Sequence, residues 1–162
     1  MAIDLPADCD PRLRRLAEYL AAQAPPGKLP GRQHLTPEDI PEILPYITLC
    51  DVVPQENGGR RYRVRLAGTH VVELLGTDPT GKFIDEVLPP KMCAEIIKRY
   101  DEVVRTKQPS YQTGELKNAG REHVRFERAA FPLARDGENV DMLIFIRVGM
   151  DAQGRQFTPP RS

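Results

Sequence analysis

The sequence predicts an α+β domain built on one five-stranded antiparallel sheet. Two β-rich segments precede a helical middle region and three more follow it, in the order strand, strand, short helices, long helix, strand, strand, strand. A hairpin and a three-strand meander with helices between them are typical of a single antiparallel sheet whose helices cover one face. Strands and helices do not alternate, so a parallel, doubly wound sheet is not predicted.

Length and composition set the limits for this domain. The chain has 162 residues, enough for one domain with its own core and no need of disulfides or zinc. Its 23 basic residues balance 23 acidic residues, so charge predicts no nucleic-acid partner and no membrane. The three cysteines are scattered, and no apolar run approaches the ~18 residues of a membrane span. These features predict a cytoplasmic protein without a metal site.

The first predicted element is an amphipathic helix over residues 11–23. Asp10 supplies the N-cap and Pro11 the first helical position. Apolar side chains then recur at three- and four-residue steps along one face, namely Leu13, Leu16 and Leu20. The three prolines and two glycines of residues 24–32 end the helix.

This break divides the chain into three predicted parts. Residues 1–28 form the helix and its connector, residues 29–149 form the sheet domain, and residues 150–162 form a flexible tail. The N-terminal helix is therefore interpreted as an appendage whose apolar stripe needs a surface to cover it.

A hairpin opens the sheet domain. Residues 47–53 are β-branched and apolar, and residues 61–68 alternate strictly between apolar and basic side chains. The alternation places three apolar side chains on the core face, namely Tyr62, Val64 and Leu66. The arginines between them share the opposite face, where we expect solvent and cross-strand acids such as Glu127.

The helical middle region ends in the clearest helix of the chain. Residues 69–76 and 84–88 predict short helical turns. Residues 91–107 carry a continuous apolar face with charged residues opposite. That apolar face includes Cys93, Ile96 and Tyr100. The long helix is therefore predicted to pack over the sheet.

Three strands complete the sheet, at residues 110–117, 123–134 and 140–149. In the last strand two apolar sets alternate. Met142 and Ile144 are predicted to fill the core face, which leaves Leu143 and Phe145 on the opposite face. Two large apolar residues on a nominally exposed face need a cover.

Two apolar surfaces thus lack a predicted partner, the helix stripe of Leu13, Leu16 and Leu20 and the strand pair of Leu143 and Phe145. Either the helix folds back on its own sheet, or both surfaces meet their copies across a two-fold axis. We expect the second arrangement, a homodimer with these five residues at the interface between the subunits.

Four stretches of the sheet domain resemble PAS domains, the small sensor modules of signalling proteins, and in particular bacterial stand-alone PAS proteins. They are LPGRQHLTPEDIPEILPYITLCDVV, YRVRLAGTHVVELLGTDPTGK, RFERAAFPLARDG and VDMLIFIRV. The most specific part runs from Arg65 to Thr69, followed by Gly76 and by residues 78–81. The resemblance implies a curved sheet around a small pocket beneath its helices, and a sensory or interaction role. It assigns no ligand.

The resemblance also allows two cofactors to be weighed. Flavin photosensors of this kind use a reactive cysteine on a short helix after the first hairpin, and residues 69–76 and 84–88 contain none. Haem-binding members generally take an iron ligand from a histidine on the long helix, which contains none. We interpret His70 as a capping or surface histidine and Cys93 as a buried small side chain. No haem, flavin or metal is predicted, and an unidentified small ligand is left open.

The implied pocket would be lined by inward-facing residues of the sheet and of the long helix. The candidates are Tyr62, Val64, Leu66, Ile96, Tyr100, Phe126, Arg128, Met142 and Ile144. Arg128 shares its strand face with Phe126, so its guanidinium is predicted to turn toward the pocket. A buried arginine needs an acceptor, either an anionic ligand or a carbonyl or carboxylate of the protein.

The sequence therefore predicts a cytoplasmic, non-enzymatic sensory or regulatory module that acts through a homodimer or a signalling partner protein. A ligand in the pocket, if one binds, would act by favouring one arrangement of helix and sheet. No pattern of a hydrolase or a phosphate-binding loop is present. Two alternatives stay open, a structural adaptor with a filled core and a small-molecule-binding enzyme with a similarly curved sheet. A cavity large enough for a small ligand would favour the sensor over the adaptor.

Overall fold

The fold is known from a computed structural model that describes residues 5–116, 124–151 and 153–155. Its strands are Ile47–Pro54 (β1), Arg60–Ala67 (β2), Ser110–Leu116 (β3), Val124–Leu133 (β4) and Met142–Met150 (β5). They form one sheet in the order β2-β1-β5-β4-β3, and every neighbouring pair is antiparallel. The predicted α+β class with a five-stranded antiparallel sheet is confirmed.

The described helices are Pro11–Gln23 (α1), Thr69–Leu75 (α2), Ile84–Val87 (α3) and Pro90–Thr106 (α4). Short 3-10 turns at Arg32–His34, Pro37–Asp39 and Leu44–Tyr46 lead into β1. Within the described ranges, none of the helices combines the length and the apolar character needed to pass through a lipid bilayer. The predicted turn after β3 and most of the predicted tail lie outside the described residues.

Both faces of the sheet are covered, and each face has its own core. The face toward α4, called the α4 face below, carries a core of Cys50, Tyr62, Val64, Ile84, Cys93, Tyr100, Val103, Ala130, Leu143 and Phe145. The opposite face, called the α1 face, carries a core that includes Leu13, Leu16, Leu20, Ile47, Leu49, Phe131, Leu133, Ile144 and Ile146. The prediction placed the helices on one face of the sheet, and the structure adds α1 on the opposite face.

The central strand β5 turns its two apolar sets to the faces opposite to those predicted. Leu143 and Phe145 point into the α4-face core, whereas Met142 and Ile144 pack on the α1 face. Pairing sets this orientation, because Phe145 lies opposite Ala130 of β4 and both belong to the same core. Since both faces are apolar, alternation alone gave no reason to prefer one orientation. Met142 and Ile144 are therefore not residues of a pocket under α4.

A β-bulge turns Leu66 away from the core face predicted for it. The β1 partner of Leu66 directly precedes the partner of Val64, so Arg65 is an extra residue without a partner of its own. One extra residue reverses the alternation beyond it. Leu66 consequently lies on the α1 face and is 43% exposed. It lines an apolar groove of about 380 Å³ between the hairpin and the 3-10 turns.

The beginning of α1 is tied to the sheet. The Asp10 side chain caps the helix by accepting a hydrogen bond from the Arg12 backbone N–H. The Asp10 backbone N–H donates to a carboxylate oxygen of Glu127 on β4 over 2.7 Å. Glu127 therefore anchors α1. The expected pairing of Glu127 with the arginines of β2 is not found in the described structure. Those arginines lie beside Asp51 and Asp85 instead.

Helix α1 folds back on the sheet of its own chain. Its apolar stripe, Leu13, Leu16 and Leu20, has no exposed surface and belongs to the α1-face core. This corrects the interface predicted for Leu13, Leu16, Leu20, Leu143 and Phe145, because all five side chains are buried inside one chain. The division of the chain at residue 28 stays a prediction, and α1 shares its core with the sheet.

The junction between β2 and α2 requires glycine at position 68. A Cβ atom there would lie 2.4 Å from the carbonyl oxygens of Leu44 and Pro45. The Gly68 N–H also donates to the carbonyl of Ile47 over 2.8 Å. The backbone of the junction thus packs directly on the last 3-10 turn, which leaves no room for a side chain.

Replacing Leu16 by alanine tests the docking of α1. We expect Leu16→Ala to lower the free energy of unfolding by about 3 kcal/mol, because it opens a cavity in the α1-face core. Glu18→Ala, at an exposed position of the same helix, is the control and should change it by less than about 0.5 kcal/mol. Urea unfolding followed by circular dichroism measures both variants. Equal, small effects would contradict the docking of α1.

Replacing Gly68 by alanine tests the close approach at the junction. We expect Gly68→Ala to lower the free energy of unfolding by about 2 kcal/mol, because the new Cβ must displace two backbone carbonyls. Thr69→Ala, at the exposed next position, should leave the stability nearly unchanged. Thermal unfolding of the two variants is the measurement, and a Gly68→Ala protein as stable as the wild type would disprove the steric argument.

Candidate functional site

A pocket lies between the α4 face of the sheet and the helices α2, α3 and α4. Its volume is about 70 Å³. All three helices and their connections contribute apolar walls, including Val71, Leu74, Leu75, Ile84, Val87 and Ile96. Its polar lining consists of Thr48, Tyr100, Arg128 and Arg147. The pocket is therefore an apolar chamber with cationic groups in one wall.

The structure brings part of the predicted pocket set together. The predicted residues that line the pocket are Val64, Ile96, Tyr100 and Arg128. Tyr62 is buried in the neighbouring α4-face core, and Phe126 lies on the same face beneath the guanidinium of Arg147. The other predicted residues point elsewhere. Leu66 is turned away by the bulge in β2, and Met142 and Ile144 lie on the α1 face of β5.

Two arginines stand directly opposite each other in the pocket wall. Arg128 of β4 is the cross-strand partner of Arg147 of β5. The Arg128 guanidinium carbon lies 5.6 Å from the Tyr100 ring centre, and its Nη2 donates to Oε1 of Gln112 over 3.2 Å. The Arg147 guanidinium carbon lies 4.9 Å from the Phe126 ring centre, and its shielded Nε–H has no acceptor in the described chain. Neither arginine forms an ion pair with a described carboxylate.

The electrostatic environment of this pair is unfavourable. Burial, together with the neighbouring charge of Arg128, lowers the pKa of Arg147 to about 10. Arg147 therefore keeps its charge at neutral pH. Like charges directly opposite each other destabilise a sheet, and a shielded charge without a partner adds a desolvation cost. An anion between the two guanidinium groups would offset both effects.

Aromatic side chains hold α4 against the sheet beside the pocket. The Tyr100 ring stacks on Phe145 with ring centres 4.4 Å apart and meets Tyr62 edge-on at 5.3 Å. The Tyr62 hydroxyl donates to Oδ1 of Asp101 on α4 over 2.5 Å. Burial and this carboxylate raise the pKa of Tyr62. Tyr62 thus connects the edge strand β2 to α4, and Tyr100 alone of the two faces the pocket.

His70 is buried, with 5% of its surface exposed, and is not the capping or surface residue that was expected. Its ring centre lies 4.8 Å from that of Tyr46, and the Arg12 guanidinium of α1 lies 4.4 Å from the same Tyr46 ring. The Nε2 atom has no hydrogen-bond partner in the described chain. Burial lowers the pKa of His70, Glu73 acts in the opposite direction, and the positive charges of Arg12 and Arg147 lower it further.

The cysteines offer no reactive group in the described structure. Cys50 and Cys93 are buried in the α4-face core, which confirms the prediction that Cys93 is a buried small side chain. Burial raises the pKa of both thiols, and a neutral thiol is a poor nucleophile and a poor metal ligand. Among the described residues, no group of three or more His, Cys, Asp or Glu side chains is placed to hold a metal ion.

An antiparallel sheet in this strand order, with three helices over a small pocket on one face, defines an α+β module with a pocket. The sequence model of one family, described as PAS domain, matches residues 10–146. Because this range covers most of the chain, the protein belongs to the PAS domain family. The matched range includes all of α1, which also shares the core of the sheet. No curated protein matches the chain.

Arg147 is the charged pocket residue that sequence reasoning missed. By alternation it shares the strand face of Leu143 and Phe145, which was predicted to point away from the core. The three residues do share a face, but that face points toward α4 and the pocket. No local signal identified the face, because the pairing of Arg147 with Arg128 depends on strand register.

The buried histidine predicts a pH dependence of stability. Because burial holds the pKa of His70 below its usual 6.5, the unfolded chain takes up a proton first as the pH falls. The contribution of the neutral, buried His70 side chain to the unfolding free energy is complete above pH 6.5, and it is lost as the pH falls below this value. We therefore expect the unfolding free energy to decrease more steeply between pH 7 and about 5 in the wild type than in His70→Leu. Urea titrations across this range measure it, and parallel curves would refute the assignment.

Proposed function

We propose that this PAS domain is a sensory or regulatory module. Its pocket binds a small molecule, and the bound molecule changes how the protein contacts a partner protein. The observation that carries the proposal is the chamber of about 70 Å³ between the sheet and three helices. A filled core would favour the structural adaptor, whereas a chamber with its own polar wall supports binding. Membership of the PAS family supports the sensory role.

The short helices support a ligand-dependent conformation. Helices α2 and α3 have seven and four residues and turn apolar side chains such as Val71, Leu75 and Ile84 into the chamber. Helices this short depend on tertiary contacts for their stability. A ligand that contacts these side chains would favour one arrangement of the helices, and such differential affinity is what shifts a conformational equilibrium.

A packed route leads from the pocket toward the N-terminal helix. His70 of α2 contacts the Tyr46 ring, and Arg12 of α1 lies over that same ring. A displacement of α2 would therefore change the packing beneath α1. We propose that a signalling partner protein binds the exposed side of α1.

We also propose that the pocket binds without catalysing a reaction, in a cytoplasmic protein. Its described lining contains no Cys, His, Lys, Asp or Glu side chain. Burial raises the pKa of the Tyr100 hydroxyl, which stays protonated. Acid–base and nucleophilic catalysis need a group activated near neutral pH. The free thiols of Cys9, Cys50 and Cys93 support a reducing compartment.

Native mass spectrometry of protein purified from bacterial cytoplasm tests this function. We expect a small molecule that stays bound in the native protein and is released on denaturation. Val71→Phe fills the chamber from α2 and should lower the bound fraction at least about tenfold. Val72→Phe on the same helix, outside the pocket lining, is the matched control and should retain the molecule.

Two outcomes would overturn parts of the proposal. If the native protein carries no molecule and no fraction of a cytoplasmic extract raises its melting temperature, the adaptor replaces the sensor. The same spectra count subunits. A homodimer remains the prediction from sequence, now without its named interface, and a monomeric full-length protein would end it.

A further inference from the structure

The Arg128–Arg147 pair carries two positive charges that no described carboxylate balances. The ion pairs of the described chain involve other arginines. Arg128 donates to the neutral amide oxygen of Gln112, and the Arg147 Nε–H is shielded from water and donates to no described acceptor. Such a donor costs free energy unless an acceptor arrives from outside the chain.

We propose that this pair binds the carboxylate of a short-chain monocarboxylic acid inside the pocket. The proposal rests on the ligand-binding function proposed above and names the chemical class of the ligand. Four observations carry it, namely the pairing of the arginines, the missing acceptor, the size of the chamber and its apolar walls.

The pairing suits a single carboxylate. Directly opposite residues of antiparallel strands have Cα atoms about 5.5 Å apart or closer, so the two side chains leave the sheet side by side on the same face. A guanidinium group offers parallel N–H donors that match the two oxygens of a carboxylate, and Arg147 lines the pocket. Arg128 would contribute its positive charge from the neighbouring strand.

The chamber sets the size of the ligand. A cavity of about 70 Å³ holds several waters, since one water needs about 10–15 Å³. Such a space suits a ligand of few non-hydrogen atoms, such as a short-chain acid.

The walls set the chemistry of the remainder of the ligand. Beyond the arginines the chamber is bounded mainly by apolar side chains such as Val71, Ile96 and Phe145. An alkyl chain gains free energy in these surroundings. A second carboxylate, or the outer oxygens of sulfate or phosphate, would lose hydration among these apolar side chains. The apolar wall therefore favours a monocarboxylate over a dicarboxylate or an inorganic anion.

Thermal unfolding of the full chain with sodium butyrate tests the proposal. Saturating butyrate should raise the melting temperature by about 5 °C. Butyramide, the neutral amide of the same size, and sodium sulfate at equal ionic strength should raise it by much less.

Arg147→Met should melt above the wild type without ligand, because it removes an unbalanced charge, and should bind butyrate at least about tenfold more weakly. Arg125→Met, at an exposed position of β4, is the matched control and should keep the full response.

A measurement on the wild type covers the case in which Arg147→Met does not fold. In ¹⁵N spectra of the arginine side chains, the Arg147 Nε–H should shift on addition of butyrate, whereas the Arg63 signal should not. An equal response to butyramide or sulfate, an unchanged Arg147 signal, or a full response in Arg147→Met would each overturn the proposal. If native mass spectrometry finds a neutral ligand in the pocket while butyrate fails, the ligand class is wrong and the proposed function stands. If neither binds, both proposals fall.

Discussion

A sheet that is apolar on both faces is the constraint on which this protein depends. In β5, Phe145 points to one core and Ile146 to the other, so neither face is stable in contact with water. Helix α4 covers one face, and α1 must return along the Pro- and Gly-rich connector to cover the other. The N-terminal helix therefore shares the core of the sheet, and the PAS match begins at residue 10.

The same constraint explains where chemistry is concentrated. Most side chains between sheet and helices are apolar, and the Tyr62, Tyr100 and Phe145 rings fix the long helix over them. Against this background, two facing arginines stand out as charged groups in a low-dielectric wall. Low polarity strengthens whatever interaction such groups make and raises the cost of making none. Short helices complete the chamber, and helices of this length depend on tertiary contacts for their stability.

Individual residues show how far sequence reasoning reached. It assigned Val64, Tyr100 and Arg128 to the correct face, because each lies in an element with regular periodicity. It misplaced Leu66, since a single unpaired residue in β2 reverses the alternation and leaves no mark in the pattern. It also inverted β5, because two apolar sets of similar size fit either face. Arg147 followed that inversion out of the pocket.

The amino-acid sequence by itself determined the α+β class, the order of strands and helices, the cap of α1 and the apolar face of α4. These depend on periodicities and capping groups that act within a few residues along the chain. Only the tertiary structure decided which face each strand presents, where α1 lies, and that Arg128 meets Arg147. The physical reason is that these features depend on register and burial between segments far apart in sequence, for which local spacing carries no information.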